Sequence, residues 1–253
     1  MDATSLRVYW RPGCSSCVKV KEFLGKLEVP FESINVSARP EAMEELRRMG
    51  VRTVPVVARG EQYVFAQALE DVSRFIGRDV RLERLPPEVL MSKWLTVLAT
   101  AQRHVVQLPA VRLDERAVEG RDRSIRDLAS HIYQIGDAFL HVVHNGLEDW
   151  TGVANAPTPA HMTTTAHIRA YGADVAARID AWWAQLEDKS CRWPVKMYYG
   201  THPVHQFLER STWHSAQHAR QIIAVLERLG IEPDGRLGAE DYAGLPMPEG
   251  LWE

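Results

Sequence analysis

His214 and His218 stand one helical turn apart in a run where Phe207, Ser211, His214, His218, Ile222, Val225 and Leu229 recur at steps of three or four. That spacing puts them on one face of a helix, with the two imidazoles about 6 Å apart along its axis. Their neighbours on this face are apolar, so both rings point into a core. Imidazoles fill a core poorly and hold a divalent metal well, although the pair alone also fits two satisfied buried histidines. A third histidine, His131, lies on another stripe of the same kind, with Leu128, Ile135, Phe139 and Val142. One histidine from one helix and an i, i+4 pair from another can converge on one ion and leave positions open. Such a set suits zinc, nickel, iron or manganese in a catalytic rather than a closed structural site.

The second chemical signal is Cys14-Ser15-Ser16-Cys17, which follows the strand-like Leu6-Arg7-Val8-Tyr9-Trp10 and the turn Arg11-Pro12-Gly13. A cysteine at a helix N-terminus has its thiolate stabilised by free backbone N–H groups and by the helix dipole. Cys14 takes that place, with Arg11 adding positive charge three residues upstream. Cys17, one turn inside on the buried face, is placed to resolve a mixed disulfide on Cys14. A zinc site is the competing use of CxxC, but residues 1–80 contain no histidine and no third cysteine.

The elements needed to position these cysteines follow in order. Residues 30–36, 51–57 and 63–65 read as strands, and 39–49 and 68–76 as helices, with Gly77 ending the last. A βαβαββα order with CxxC after the first strand is a thioredoxin-like α/β pattern. On Val8-Tyr9-Trp10, Cys14-Ser15-Ser16-Cys17 and Arg52-Thr53-Val54-Pro55, residues 1–80 resemble a glutaredoxin. The resemblance implies a cis proline at Pro55 facing the cysteines. It also implies that Thr53, Val54 and Pro55 hold the thiol part of glutathione, with Arg11 and Arg52 offering charge to its carboxylates. Another low-molecular-weight thiol, or a protein thiol, is the alternative.

Residues 81–87 are charged and end in Pro86-Pro87, a linker pattern. Beyond it strand signals vanish. Amphipathic runs at 88–108, 124–145, 163–186 and 204–229 predict an all-α four-helix bundle over 88–253, with Ser124 capping the second helix. On Asp127-Leu128-Ala129-Ser130-His131-Ile132, on His214 to Ile222, and on the late Asp241-Tyr242, this half resembles the DinB family of metal-binding bundles. The resemblance implies a divalent metal on His131, His214 and His218 and, for many members, thiol-dependent transfer chemistry. Such bundles often pair through their helices, so a homodimer is among the expectations. His141 lies about 15 Å along the helix from His131 and cannot share its ion. His144, His161, His167 and His202 read as surface or loop residues, His104 and His205 as flanking the apolar stripes, and Cys191 as part of an irregular stretch.

The 253 residues carry a formal charge of −3, with 25% charged and 45% apolar residues and no basic block, so nucleic acid is not the expected partner. No apolar run reaches the roughly 18 residues of a membrane span, and the chain enters a strand pattern too early for a secretory signal. Three cysteines, one pair and one alone, fit a reducing, cytoplasmic compartment. The expectation is a thiol-dependent metalloenzyme acting with a small thiol and a small-molecule or protein disulfide. A plain thiol–disulfide oxidoreductase with a structural or partner-binding metal bundle, and a redox-linked metal sensor, are its rivals.

Overall fold

Val8 and Tyr9 are adjacent and both fully buried, so the strand that carries them, β1 (Leu6–Trp10), is covered on both faces. This is the pattern of a central strand. In the computed structural model, which describes residues 5–252, β1 pairs in parallel with β2 (Glu32–Asn35) and antiparallel with β3 (Val56–Arg59). β4 (Gln62–Phe65) extends the sheet to the order β2-β1-β3-β4. On one face Tyr9, Val56 and Ala58 pack with Cys17 and with Ala42 and Leu46 of α2 (Pro40–Arg48). On the other, Leu6, Val8 and Val57 pack with Val20 and Leu24 of α1 (Ser15–Lys26) and with Leu69 and Val72 of α3 (Leu69–Phe75). The third strand differs from its expected span: residues 51–55 are irregular and pairing begins at Val56. Pro55 has no N–H to give a ladder, though its carbonyl accepts from Ala66 N at 3.0 Å.

The chain divides into two compact units. The described residues of the first are 5–83, joined by 118–122 and 248–252; the second comprises 84–117 and 123–247. Within the first, the Glu22 carboxylate accepts the backbone N–H of Glu249 at 2.9 Å and of Gly250 at 2.7 Å, which ties the late segment to α1.

The second unit is built on four long helices: α4 (Pro87–Gln107), α5 (Ile125–Asn145), α7 (Thr165–Gln185) and α8 (Val204–Arg228). α4 and α5 each pack against both α7 and α8. Ser124 caps α5 as expected, its Oγ accepting from Asp127 N at 3.0 Å, and Gly146 ends that helix in the left-handed conformation. Trp94, Phe139, Trp182 and Phe207, one from each helix, interlock around Phe139 with ring centroids 5.0–5.4 Å apart. Two shorter helices, α6 (Thr151–Ala154) and α9 (Ala239–Tyr242), lie between and after them. Strands are present here after all: β5 (Pro194–Met197) and β6 (Gly200–Pro203) form a hairpin where an irregular stretch was expected. Gly200, at φ 137°, opens β6 after the two-residue turn, and Cys191 before the hairpin is fully buried. None of the described helices is long and apolar enough to cross a membrane.

Candidate functional site

In the first unit Cys14 and Cys17 are joined in a disulfide, with their Cα atoms 5.2 Å apart. Cys14 is the N-cap of α1: its carbonyl accepts from Cys17 N and Val18 N, while its side chain stays partly exposed. Cys17 has no exposure and packs beside Val54 and Val51. The two sulfurs are therefore not equivalent. The reachable sulfur is at the positive end of the helix and the buried one stands behind it. The Val54–Pro55 peptide is cis, both residues are buried, and Thr53 Oγ1 donates to Val54 O at 3.4 Å. Arg52 is exposed, whereas Arg11 is largely buried, and burial lowers its pKa.

In the second unit α5 and α8 bring three imidazoles together. Ring centroids are 4.7 Å apart for His131–His218, 4.9 Å for His214–His218 and 5.7 Å for His131–His214. One nitrogen from each ring lies within 4.8 Å of the others, and no carboxylate or thiol belongs to the cluster among the described residues. His131 and His218 are buried; His214 is half-buried, with its ring stacked on Trp213 at 5.3 Å. His218 Nδ1 is 2.6 Å from Gln221 Oε1. An amide oxygen only accepts, so Nδ1 donates and Nε2 carries the ring's lone pair.

Two contacts fix the register of these helices. Trp94 Nε1 on α4 donates to Ser215 Oγ at 3.0 Å, and Ser215 Oγ donates to Ile132 O at 3.1 Å. Ser215 follows His214 and Ile132 follows His131, so this buried chain locks α4, α8 and α5 at the level of the cluster. One turn earlier on α5, the Asp127 carboxylate accepts from Ser124 Oγ at 2.7 Å and from Thr158 Oγ1 at 2.6 Å.

Residues 6–64 match the glutaredoxin family profile. The chain is also 40% identical over 65 residues to an N-acetyl-S-hydroxy-L-cysteine reductase of Bacillus subtilis, covering 24% of this chain and 70% of that protein. It is 35% identical over 54 residues to the glutaredoxin-like protein NrdH of Lactococcus lactis, 21% of this chain and 75% of the relative. With the Escherichia coli NrdH it shares 39% over 56 residues, 22% and 69% respectively. The chain belongs to the glutaredoxin family. Its glutaredoxin unit carries the thiol–disulfide redox function, and a helical region follows it.

Several residues stand elsewhere than the sequence suggested. His202 is not a surface residue: it is buried in the β5–β6 hairpin, its ring 5.2 Å from that of Tyr199. His104 is fully buried rather than flanking its stripe, and His205 Nε2 bonds Leu85 O at 2.8 Å. His144, His161 and His167 are exposed, as expected, and His141 is exposed as well. Sequence reasoning missed Arg121. It lies outside the span matched to glutaredoxins, yet its Nη1 donates to Gly13 O at 2.7 Å, next to Cys14. No local pattern marks it, because the contact joins residues 108 apart.

Proposed function

We propose that this chain is a cytoplasmic, thiol-dependent metalloenzyme in which glutaredoxin chemistry at Cys14 and Cys17 serves a metal site on His131, His214 and His218. In this reading residues 1–80 form the redox domain, 81–87 the linker, and 88–253 a DinB-like bundle that includes a four-helix core. The observation that carries it is the convergence of three imidazoles from two helices, with the half-buried His214 leaving one side of the cluster reachable. The donor set fits zinc, nickel, iron or manganese. Three neutral ligands would leave a bound dication its full charge, and it would supply Lewis-acid activation of a small thiol or its electrophile.

The chain's own residues have distinct parts. Gln221 orients His218, Ser215 sets the helix register, and Cys14 attacks a disulfide that Cys17 then resolves. Val54 and Pro55, with Thr53 before them, would hold the incoming thiol, and Arg11 and Arg52 would offer charge to it. The thiol is glutathione or another low-molecular-weight thiol. The name of the B. subtilis relative describes reduction of a small S-hydroxycysteine derivative, which supports a small-molecule rather than a protein substrate.

The test is elemental analysis of the folded wild-type protein beside His214→Ala. About one equivalent of one metal, lost in the variant, is the expected result. No metal in either, even after reconstitution, would leave the histidines as core residues and the redox unit as the sole seat of function.

A further inference from the structure

The turn in front of Cys14 is more cationic than the glutaredoxin span alone accounts for. Within the first unit, residues 118–122 lie over Pro12 and Gly13. Val118 and Arg121 crowd the Cα of Gly13, where a Cβ would meet Val118 Cγ1 at 3.1 Å and Arg121 Nη1 at 3.4 Å. Arg121 Nη1 donates to Gly13 O at 2.7 Å and reaches Pro12 O at 3.5 Å. Its guanidinium is thus fixed one residue from Cys14, and Arg11 is near enough that the two repel. Burial, and then the charge of Arg11, lower the pKa of Arg121 to about 10. A carboxylate partner would move it the other way.

Two like charges brought together in a partly desolvated place cost free energy unless an anion joins them. The same turn holds polar atoms in want of such a ligand: Arg11 Nε, Ser15 Oγ and Ser16 Oγ are buried with no hydrogen-bond partner among the described residues. Buried groups of this kind call for an explanation. An anion held between the two guanidiniums would offset their repulsion.

We propose that Arg11 and Arg121 form an anion-recognition pair beside the Cys14–Cys17 disulfide, which selects disulfides carrying a carboxylate near their sulfur. Segment 118–122 thereby acts as a specificity element of the redox site. The proposal rests on the thiol–disulfide reading of Cys14 and Cys17. In the cycle the Cys14 thiolate attacks one sulfur of the substrate, the substrate S–S bond breaks, and the first thiolate leaves and takes up a proton. The Cys17 thiolate then attacks Cys14 Sγ, releasing the second thiolate and forming the protein disulfide. The substrate gains two electrons and the dithiol loses two. Carboxylates on the departing thiolates stay bound to the guanidiniums through the first transfer.

The experiment mixes the reduced full-length protein with dithiodipropionate, hydroxyethyl disulfide or cystamine. These are similar disulfides bearing carboxylates, hydroxyls and ammoniums. Single-turnover oxidation of Cys14 and Cys17 is followed by acid quench, alkylation and mass spectrometry. The wild type should oxidise fastest with dithiodipropionate. Arg121→Gln should lose roughly tenfold on that substrate, the size of one charge-assisted hydrogen bond, and leave hydroxyethyl disulfide within about twofold. Arg121→Lys, which keeps the charge, should retain most of the preference. A wild type that reduces hydroxyethyl disulfide but shows no preference for the dicarboxylate overturns the proposal. So does an Arg121→Gln variant slowed equally on all three, which would assign Arg121 to Gly13 or to the thiolate. A wild type that reduces none of them removes the redox reading itself, and this proposal with it.

Discussion

His218 Nδ1 and Gln221 Oε1 lie 2.6 Å apart, three residues along α8, both buried. The contact fixes which nitrogen of His218 faces His131 and His214, and it also stops the ring from turning. Outer partners of this sort tune metal affinity by about 10- to 100-fold. Gln221→Leu keeps the bulk and removes the acceptor. It should weaken metal retention by at least roughly tenfold in a chelator competition. An unchanged affinity would mean that the amide only fills space.

The exposure difference between Cys14 and Cys17 gives a covalent prediction. Cys17→Ser should accumulate a stable mixed disulfide on Cys14 when the reduced protein meets a small disulfide, seen as an added mass. Cys14→Ser should accumulate almost none, since Cys17 has no exposure. Equal adducts in both variants would break the assigned order of attack.

Two glycines let α5 and α7 approach. A Cβ on Gly172 would sit 2.5 Å from the Tyr133 ring, and one on Gly136 would sit 2.6 Å from Val175 Cγ1. Alanine ordinarily favours a helix over glycine by about 1 kcal/mol. Here the buried ring has no room to yield, and overpacking costs about 1–3 kcal/mol. Gly172→Ala should therefore lower the urea midpoint, whereas Gly152→Ala, with open space around its Cβ, should not. A stabilised Gly172→Ala would show that the helices slide freely.

Asp127 supplies a pH dependence. Burial pushes its carboxyl up, but hydrogen bonds from Thr158 and Ser124 outweigh it and hold the pKa below the ordinary 3.8. A carboxyl depressed in the folded state stabilises the fold above its unfolded pKa, and that stabilisation is lost as pH falls through the folded value. Asp127→Asn should be less stable than wild type at about pH 7, with the gap narrowing as the pH falls below the ordinary carboxyl value. A gap that widens in acid would reverse the assignment.

Much of this was legible beforehand because it is periodic. The inward faces of α5 and α8 follow from steps of three and four, so His131, His214 and His218 could be named from spacing. Cys14 and Cys17 were placed by a strand, a turn and a helix in close succession. What escaped was non-local or had no period. The β5–β6 hairpin is two four-residue strands of mixed, mostly exposed residues that lack a clean alternation. Ser215 looks like an ordinary helix residue until Trp94, 121 positions away, is brought against it. Arg121 sits in a connection between helices, where nothing in the local sequence says that its guanidinium will meet Gly13.

The first unit takes its strands and helices from residues 5–83 but is completed by 118–122 and 248–252. On the ribosome, then, Cys14 leaves the exit tunnel long before Arg121, and Glu22 waits longer still for Glu249 and Gly250. On the anion-recognition proposal, the thiol would emerge before its selecting charge, and discrimination among disulfides would be acquired only as translation proceeds.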